Sequence, residues 1–135
     1  MNLDDKKLEF LSAIEYQEGL PLRERRYSIQ LHADPRVFND VETMIKAMEI
    51  NTAYGVYASD EVKKDLNFRL NFLALTEPPL EQLPTDYTDY VYVHFHQNLH
   101  SLWNTLPKDE YRLAVKEAIA ETLQHQYEIE DDLER

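Results

Sequence analysis

Cysteine is absent from the 135-residue sequence, and glycine occurs only twice, as Gly19 and Gly55. Without cysteine, the chain forms no disulfide framework, no thiolate nucleophile and no cysteine-ligated zinc or iron–sulfur site. Phosphate-cradling loops need several glycines in register, so the nucleotide chemistries of P-loop and Rossmann proteins are excluded as well. The sequence also lacks a G-x-S-x-G elbow and a kinase signature. No motif points to an enzyme.

Long apolar runs are missing too, and no window approaches the roughly 18 apolar residues that a membrane span needs. The first 20 residues, MNLDDKKLEFLSAIEYQEGL, are acidic and amphipathic. They lack the basic region and the continuous apolar region of a secretory signal. These features predict a cytoplasmic protein that does not bind membranes.

Positive charge is scarce, because 26 acidic side chains outnumber 14 basic ones and give a net charge of −12. No Lys or Arg occurs between Arg69 and Lys108, and residues 117–134 hold seven acids and no base. Such a field repels phosphate, which argues against direct binding of nucleic acid or of anionic lipid. A basic protein surface would be attracted instead, and its association accelerated.

The length and composition fit one folded domain. A chain of 135 residues can bury a self-standing core, and 43% hydrophobic with 11% aromatic residues is typical of a globular protein. We therefore expect a single acidic helical domain over residues 1–135. We expect its acidic tail, residues 129–135, to fray, since carboxylates at a helix C-terminus oppose the helix dipole.

Helical periodicity dominates the pattern of apolar residues. Each predicted helix begins at a residue type that favours helix starts: Asn2, Asp34-Pro35, Ser59, Thr85-Asp86 and Pro107. The predicted helices run to about residues 18, 51, 75, 105 and 130. The sequence thus predicts a mainly α fold, a bundle-like domain of four to five helices.

Three segments also carry the alternating pattern of a β-strand, the first being RYSIQLH at residues 26–32. Phe68, Leu70 and Phe72 alternate with polar residues, and so does YVYVHFH at residues 90–96. The longer helical spacing from Val91 through Leu106 outweighs this alternation and favours a helix. The alternative is an α+β fold with a small antiparallel sheet from residues 26–32, 67–74 and 89–96.

Three histidines lie close together in the segment DYVYVHFHQNLHSLW, residues 89–103. On a helix His96 and His100 are neighbours, whereas His94 lies roughly 200° away from His96 around the axis. The short break at Leu106-Pro107 predicts that the last two helices form an antiparallel hairpin. In that hairpin His96 would lie level with about Glu117.

These positions make a divalent metal site conceivable. Imidazole and carboxylate ligands suit zinc, iron or manganese, and the candidate ligands are His96, His100, Glu117 and Glu121. The spacing matches neither H-E-x-x-H nor the Glu-x-x-His motif of di-iron bundles. We therefore expect no cofactor, and a metal-binding helical-bundle protein is the alternative.

Nine tyrosines and one tryptophan complete the distinctive features. Exposed aromatic side chains are typical of protein interfaces. The candidate partner-binding residues are Tyr87, Tyr90, Tyr92, Trp103, Glu128, Asp131 and Asp132.

The sequence predicts a non-enzymatic cytoplasmic interaction module, a regulator, inhibitor or chaperone-like adaptor. It would present an acidic, tyrosine-bearing surface to a basic protein partner, as a homodimer or in a hetero-complex. A DNA-mimic inhibitor of a DNA-processing enzyme is a further alternative.

Overall fold

The computed structural model describes residues 2–24, 33–87 and 89–134, with side chains as far as Gln126. This part of the chain is mainly helical, which confirms the predicted fold class. Its α-helices are α1 (Leu3–Glu18), α2 (Val41–Ile50), α3 (Asp60–Lys64), α4 (Leu66–Leu75), α5 (Tyr90–Thr105) and α6 (Lys108–Glu134). Short 3-10 helices occur at Leu22–Glu24, Pro35–Asn39 and Thr52–Tyr57. Among the helices described, none is both long and apolar enough to cross a membrane.

The contacts divide the chain into two compact units, Met1–Phe72 and Leu73–Arg135, and the boundary falls within α4. In the first unit α1, α2 and the 3-10 helix Pro35–Asn39 pack on one another. In the second unit α5 packs on α6. The predicted number of bundle helices and the C-terminal hairpin stay predictions.

The start of α1 follows the sequence prediction. Asn2 Oδ1 accepts a hydrogen bond from the backbone N–H of Asp5 at 2.9 Å, so the side chain caps the helix. Asp4 and Asp5 lie in the first turn, where carboxylates interact favourably with the helix dipole. Gly19 caps the other end of the helix.

Two of the predicted helices are each interrupted by an aspartate. The helix expected from Asp34 to about residue 51 is a 3-10 turn followed by α2, because Asp40 is extended and caps a new helix. Its carboxylate accepts hydrogen bonds from the backbone N–H of Thr43 at 3.0 Å and the hydroxyl of Thr43 at 2.6 Å. In the same way Asp65 separates α3 from α4 and accepts from the N–H of Phe68 at 3.1 Å.

The α+β alternative is wrong for the two segments that the structure describes. Residues 67–74 lie in α4 and residues 90–96 in α5. The third proposed strand, residues 26–32, lies outside the described residues. Helix α5 begins at Tyr90, four residues later than residue 86, where the sequence predicted its start. The backbone of α6 is helical to Glu134, through most of the segment expected to fray.

Each unit has its own apolar core. The largest fully buried side chains of the first unit are Ile14, Val37, Met44, Met48, Val62 and Leu70. Those of the second unit are Leu73, Phe95, Leu99 and Tyr111. In the second unit Phe95 and Leu99 of α5 belong to the helical spacing from Val91 through Leu106, and both are buried. The helical phase of this segment was therefore predicted correctly.

Candidate functional site

The two neighbouring histidines of α5 are directed at one backbone carbonyl. The Nε2 atoms of His96 and His100 both hydrogen-bond to the carbonyl oxygen of Leu80, the His100 nitrogen at 2.7 Å. The two rings are nearly perpendicular, with centroids 4.7 Å apart. A carbonyl oxygen only accepts, so both imidazoles donate through Nε2–H, and its two lone pairs serve both donors. The pair thus anchors the connection between α4 and α5.

The same contact bears on the predicted metal site. The Nε2–H of each ring is directed at the Leu80 carbonyl, which leaves Nδ1 as the nitrogen with a lone pair. Among the described residues, no group of three or more His, Cys, Asp or Glu side chains is arranged to hold a metal ion. The set His96, His100, Glu117 and Glu121 is therefore not assembled in the structure.

A second contact holds the same connection on α6. Glu77 accepts hydrogen bonds from Arg112, with Nε to Oε1 at 3.3 Å and Nη2 to Oε2 at 3.4 Å. The ammonium group of Lys108 lies 3.6 Å from Glu77 Oε2. Hydrogen bonding to Glu77 raises the pKa of the Arg112 guanidinium. Residues 76–84 fall between the helix predicted to end near residue 75 and the helix predicted to start at Thr85, and nothing in the sequence pattern indicates which helix such a loop contacts.

Side chains of α5 and α6 line a half-open cavity of about 270 Å³. Its apolar lining includes Val91, Phe95 and Ala118. Its polar lining includes His94, Asn98, Glu121, Thr122, His125 and Gln126. Tyr90 stands at the same cavity, with its ring stacked on that of His94 at 6.0 Å and an interplanar angle of 15°. Glu121 thus lies with His94 and His125, not with the predicted pair of histidines.

The second unit carries most of the charge of the protein. Leu73–Arg135 holds 13 acidic and four basic side chains, a net charge of −9 out of −12. Lys108 and Arg112 are both paired with Glu77. Six carboxylates are exposed and make no ion pair with any described residue: Glu81, Asp89, Asp109, Glu110, Glu117 and Glu121.

The predicted partner-binding aromatics differ in exposure. Tyr90 is 78% exposed, whereas Tyr92 is 7% exposed and stacks with Tyr87 at a centroid distance of 5.1 Å. Half-buried Trp103 packs edge-on against Tyr111, with centroids also 5.1 Å apart. Tyr92 is therefore a core residue, which corrects its assignment to a partner surface. Of these aromatic candidates, Tyr90 is the most exposed.

The acidic candidates Glu128, Asp131 and Asp132 belong to the last part of α6. Their side chains lie outside the described residues. Their contribution to a partner surface stays a prediction.

No family model, curated protein or solved structure matches this chain. The function is therefore inferred from the charge distribution and from the geometry of α5 and α6.

Tyr111 is the other polar group of note in the second unit. Its side chain is 1% exposed, and its hydroxyl has no hydrogen-bond partner among the described residues. Burial, with a smaller contribution from the Glu77 carboxylate, raises the pKa of Tyr111 to about 12. A neutral hydroxyl that contacts no other polar group cannot serve as a base that activates a nucleophile. Tyr111 is therefore interpreted as a core residue.

Proposed function

We propose that this protein is a non-enzymatic interaction module, acting as a regulator, inhibitor or chaperone-like adaptor. Its C-terminal unit presents an acidic surface to a basic protein partner. The observation that carries the proposal is the net charge of −9 on Leu73–Arg135. A field of this sign attracts a basic surface and speeds its encounter with the protein.

The arrangement of the few cations supports the same proposal. Glu77 engages both Lys108 and Arg112, so two of the three described bases of this unit are held at the start of α6 by one carboxylate. The carboxylates farther along α6, Glu117 and Glu121, stay exposed and without an ion pair to the described residues. The negative field on this side of the unit is therefore little compensated from within.

An exposed aromatic side chain adds an anchor to this charged surface. Tyr90, the first residue of α5, leaves most of its ring in solvent. Tyrosine is enriched among the residues that dominate binding energy, because its large rigid ring buries area at a small entropic cost. A partner that covers Tyr90 would also lie beside Glu121, since both residues line the same cavity.

The proposal also covers the arrangement of the last two helices, the cellular compartment of the protein and the class of its partner. We propose that α5 and α6 are an antiparallel hairpin; Trp103 near the end of α5 contacts Tyr111 near the start of α6. The module acts in the cytoplasm, as a homodimer or in a hetero-complex. A DNA-processing enzyme is one class of partner with the required basic surface.

The test compares two triple variants in quantitative capture of the partner from cell extract. The first variant removes charge from the C-terminal unit, with Glu81→Gln, Asp89→Asn and Glu117→Gln. The matched control removes the same charge from exposed positions of the first unit, with Glu9→Gln, Glu15→Gln and Glu49→Gln. Both sets lie on the surface, so both proteins should fold.

We expect wild-type capture to weaken as salt rises from about 50 to 500 mM, over which range surface charges become screened. The C-terminal variant should lose capture at low salt, and the control variant should retain it. Capture of the partner that does not change with ionic strength, or an equal loss of capture in both variants, would overturn the proposal.

A further inference from the structure

We infer that the cavity between α5 and α6 is a receptor for a single arginine side chain of the basic partner. This inference rests on the proposed function and gives it a specific anchor point. The cavity, of about 270 Å³, is smaller than the pockets that hold drug-sized ligands. Its size suits one long side chain instead of a free cofactor.

The polar lining of the cavity favours a cation that donates hydrogen bonds. Glu121 supplies a carboxylate, and the lining contains no Lys or Arg among the described residues. Asn98 and Gln126 each offer an amide oxygen, and each neutral imidazole offers one acceptor nitrogen. An anionic ligand would meet the Glu121 carboxylate with no cation to offset it.

The orientation of the Thr122 hydroxyl also favours a ligand that donates hydrogen bonds. Its Oγ1 donates its hydrogen to the Ala118 carbonyl at 2.7 Å. The lone pairs on Oγ1 are then left to accept from a ligand. Thr122 lines the cavity, so it adds a further acceptor.

Arginine fits this lining better than lysine does. The guanidinium carries five N–H donors and no acceptor, so it can serve several acceptors at once. Its planar face also stacks on aromatic rings, and the largely exposed Tyr90 lines the cavity. The methylene stem would pack on the apolar side chains of Val91 and Ala118, as long charged side chains commonly do.

Two other classes of ligand are disfavoured by the same lining. The described residues offer no cluster of three metal ligands, so His94, Glu121 and His125 do not form a metal site as placed. A purely apolar ligand would leave the Glu121 carboxylate of the lining without a cationic partner.

The experiment uses the full chain and the probe N-acetyl-arginine amide, with N-acetyl-citrulline amide as its neutral counterpart of nearly the same shape. Binding is followed by chemical-shift changes of the backbone amides at pH 8. We expect arginine to shift amides of residues 90–98 and 118–126, and citrulline to bind about five-fold more weakly. Equal binding of the two probes, or shifts confined to other segments, would overturn the inference.

Substitutions inside and outside the cavity lining test whether the arginine probe binds in the cavity. Glu121→Gln should weaken arginine binding about five-fold, whereas Glu117→Gln, one turn earlier and outside the cavity lining, should leave it within a factor of about two. Tyr90→Ala should also weaken binding, since it removes the stacking face. Equal weakening by Glu117→Gln and Glu121→Gln would mean a general effect of charge and would overturn the receptor.

The two proposals fail in different ways. If salt-dependent capture of the partner persists while N-acetyl-arginine amide does not bind, the cavity receptor is wrong and the acidic module stands. If the probe binds in the cavity but partner capture ignores salt, the electrostatic module is wrong and the arginine site is a separate property.

Discussion

Gly55 faces Met48 so closely that a Cβ built on the glycine would lie 2.7 Å from the methionine Sδ and 3.0 Å from its Cγ. Met48 is 1% exposed, so its side chain has little room to withdraw. The aromatic ring of Phe68 lies close as well, with Cζ at 3.7 Å from the same point. The glycine therefore serves the packing of the first unit, since its φ is not positive.

The first prediction concerns this contact. Gly55→Ala should lower the free energy of unfolding by about 1–3 kcal/mol, the usual cost of an extra methyl group in a filled core. Urea unfolding measures the change.

The second glycine supplies the control. A Cβ at Gly19 would meet its nearest atom, the Tyr16 carbonyl oxygen, at 3.4 Å. Gly19 has φ −78°, which alanine adopts freely. Gly19→Ala should therefore be neutral or stabilising by up to about 1 kcal/mol. Equal losses of stability in the two variants would contradict the packing argument.

The second prediction concerns the anchor at Leu80. His96→Phe keeps an aromatic ring at a buried position but removes one of the two donors to the carbonyl. We expect a loss of about 1–3 kcal/mol in unfolding free energy. Urea unfolding measures the loss, and amide hydrogen exchange in residues 76–87 should accelerate. His94→Gln, at an exposed position of the same helix, should stay within about 0.5 kcal/mol of wild type.

The double substitution His96→Phe with His100→Ala tests whether the two donors act together. If the second substitution adds no loss once the first is present, the histidines act as one unit on the carbonyl. Full additivity together with unchanged exchange in residues 76–87 would argue against a shared anchor.

The third prediction concerns the buried hydroxyl of Tyr111. Tyr111→Phe removes a hydroxyl that has no partner among the described residues, so stability at pH 7 should be unchanged or slightly higher. A loss above about 1 kcal/mol in urea unfolding would mean that the hydroxyl is hydrogen-bonded after all.

The raised pKa of Tyr111 makes the free energy of unfolding depend on pH in the alkaline range. The pKa is about 12 in the folded protein against an ordinary value of 10.0, so the unfolded chain loses this proton first. This contribution to stability is complete below about pH 10 and is lost as the pH rises toward 12. Absorbance titration should show a tyrosine transition near pH 12 that is absent in Tyr111→Phe and retained in Tyr16→Phe.

The fourth prediction concerns Asp34 and Arg36. Hydrogen bonds from the Arg36 guanidinium and backbone N–H lower the pKa of Asp34 to about 2, from an ordinary 3.8. The stabilising contribution of this carboxylate is present above about pH 4 and is lost as the pH falls through about 2. Carboxyl NMR should place the Asp34 midpoint near 2 in wild type and closer to 3.8 in Arg36→Gln. Lys46→Gln, which removes an exposed cation elsewhere in the unit, should leave the midpoint in place.

Helix capping and phase were the features that the sequence allowed us to predict. Asn2 and Ser59 cap the helices expected of them, because a capping side chain acts on backbone only three residues away. The helical phase of α5 also separates the histidines as expected, since His96 is 8% exposed and His94 is exposed. Such local relationships need no knowledge of the tertiary fold.

The breaks within the predicted helices and the cavity were missed for a different reason. Asp40 and Asp65 each lie inside a segment whose apolar spacing predicts one continuous helix. Whether such an aspartate continues a helix or caps the next one depends on packing. The grouping of Glu121 with His94 depends on how α6 is rotated about its axis against α5. A one-residue change in register turns a helix by about 100°, which sequence spacing alone does not resolve.

The histidine anchor recognises a backbone atom, and this has a consequence for sequence variation. Any residue at position 80 supplies the same carbonyl oxygen, and the Leu80 side chain is 37% exposed. Position 80 is therefore free to diverge among related chains while the two histidines are retained. We expect a search for covarying positions not to link position 80 to His96 or His100, although the contact they make is physically specific.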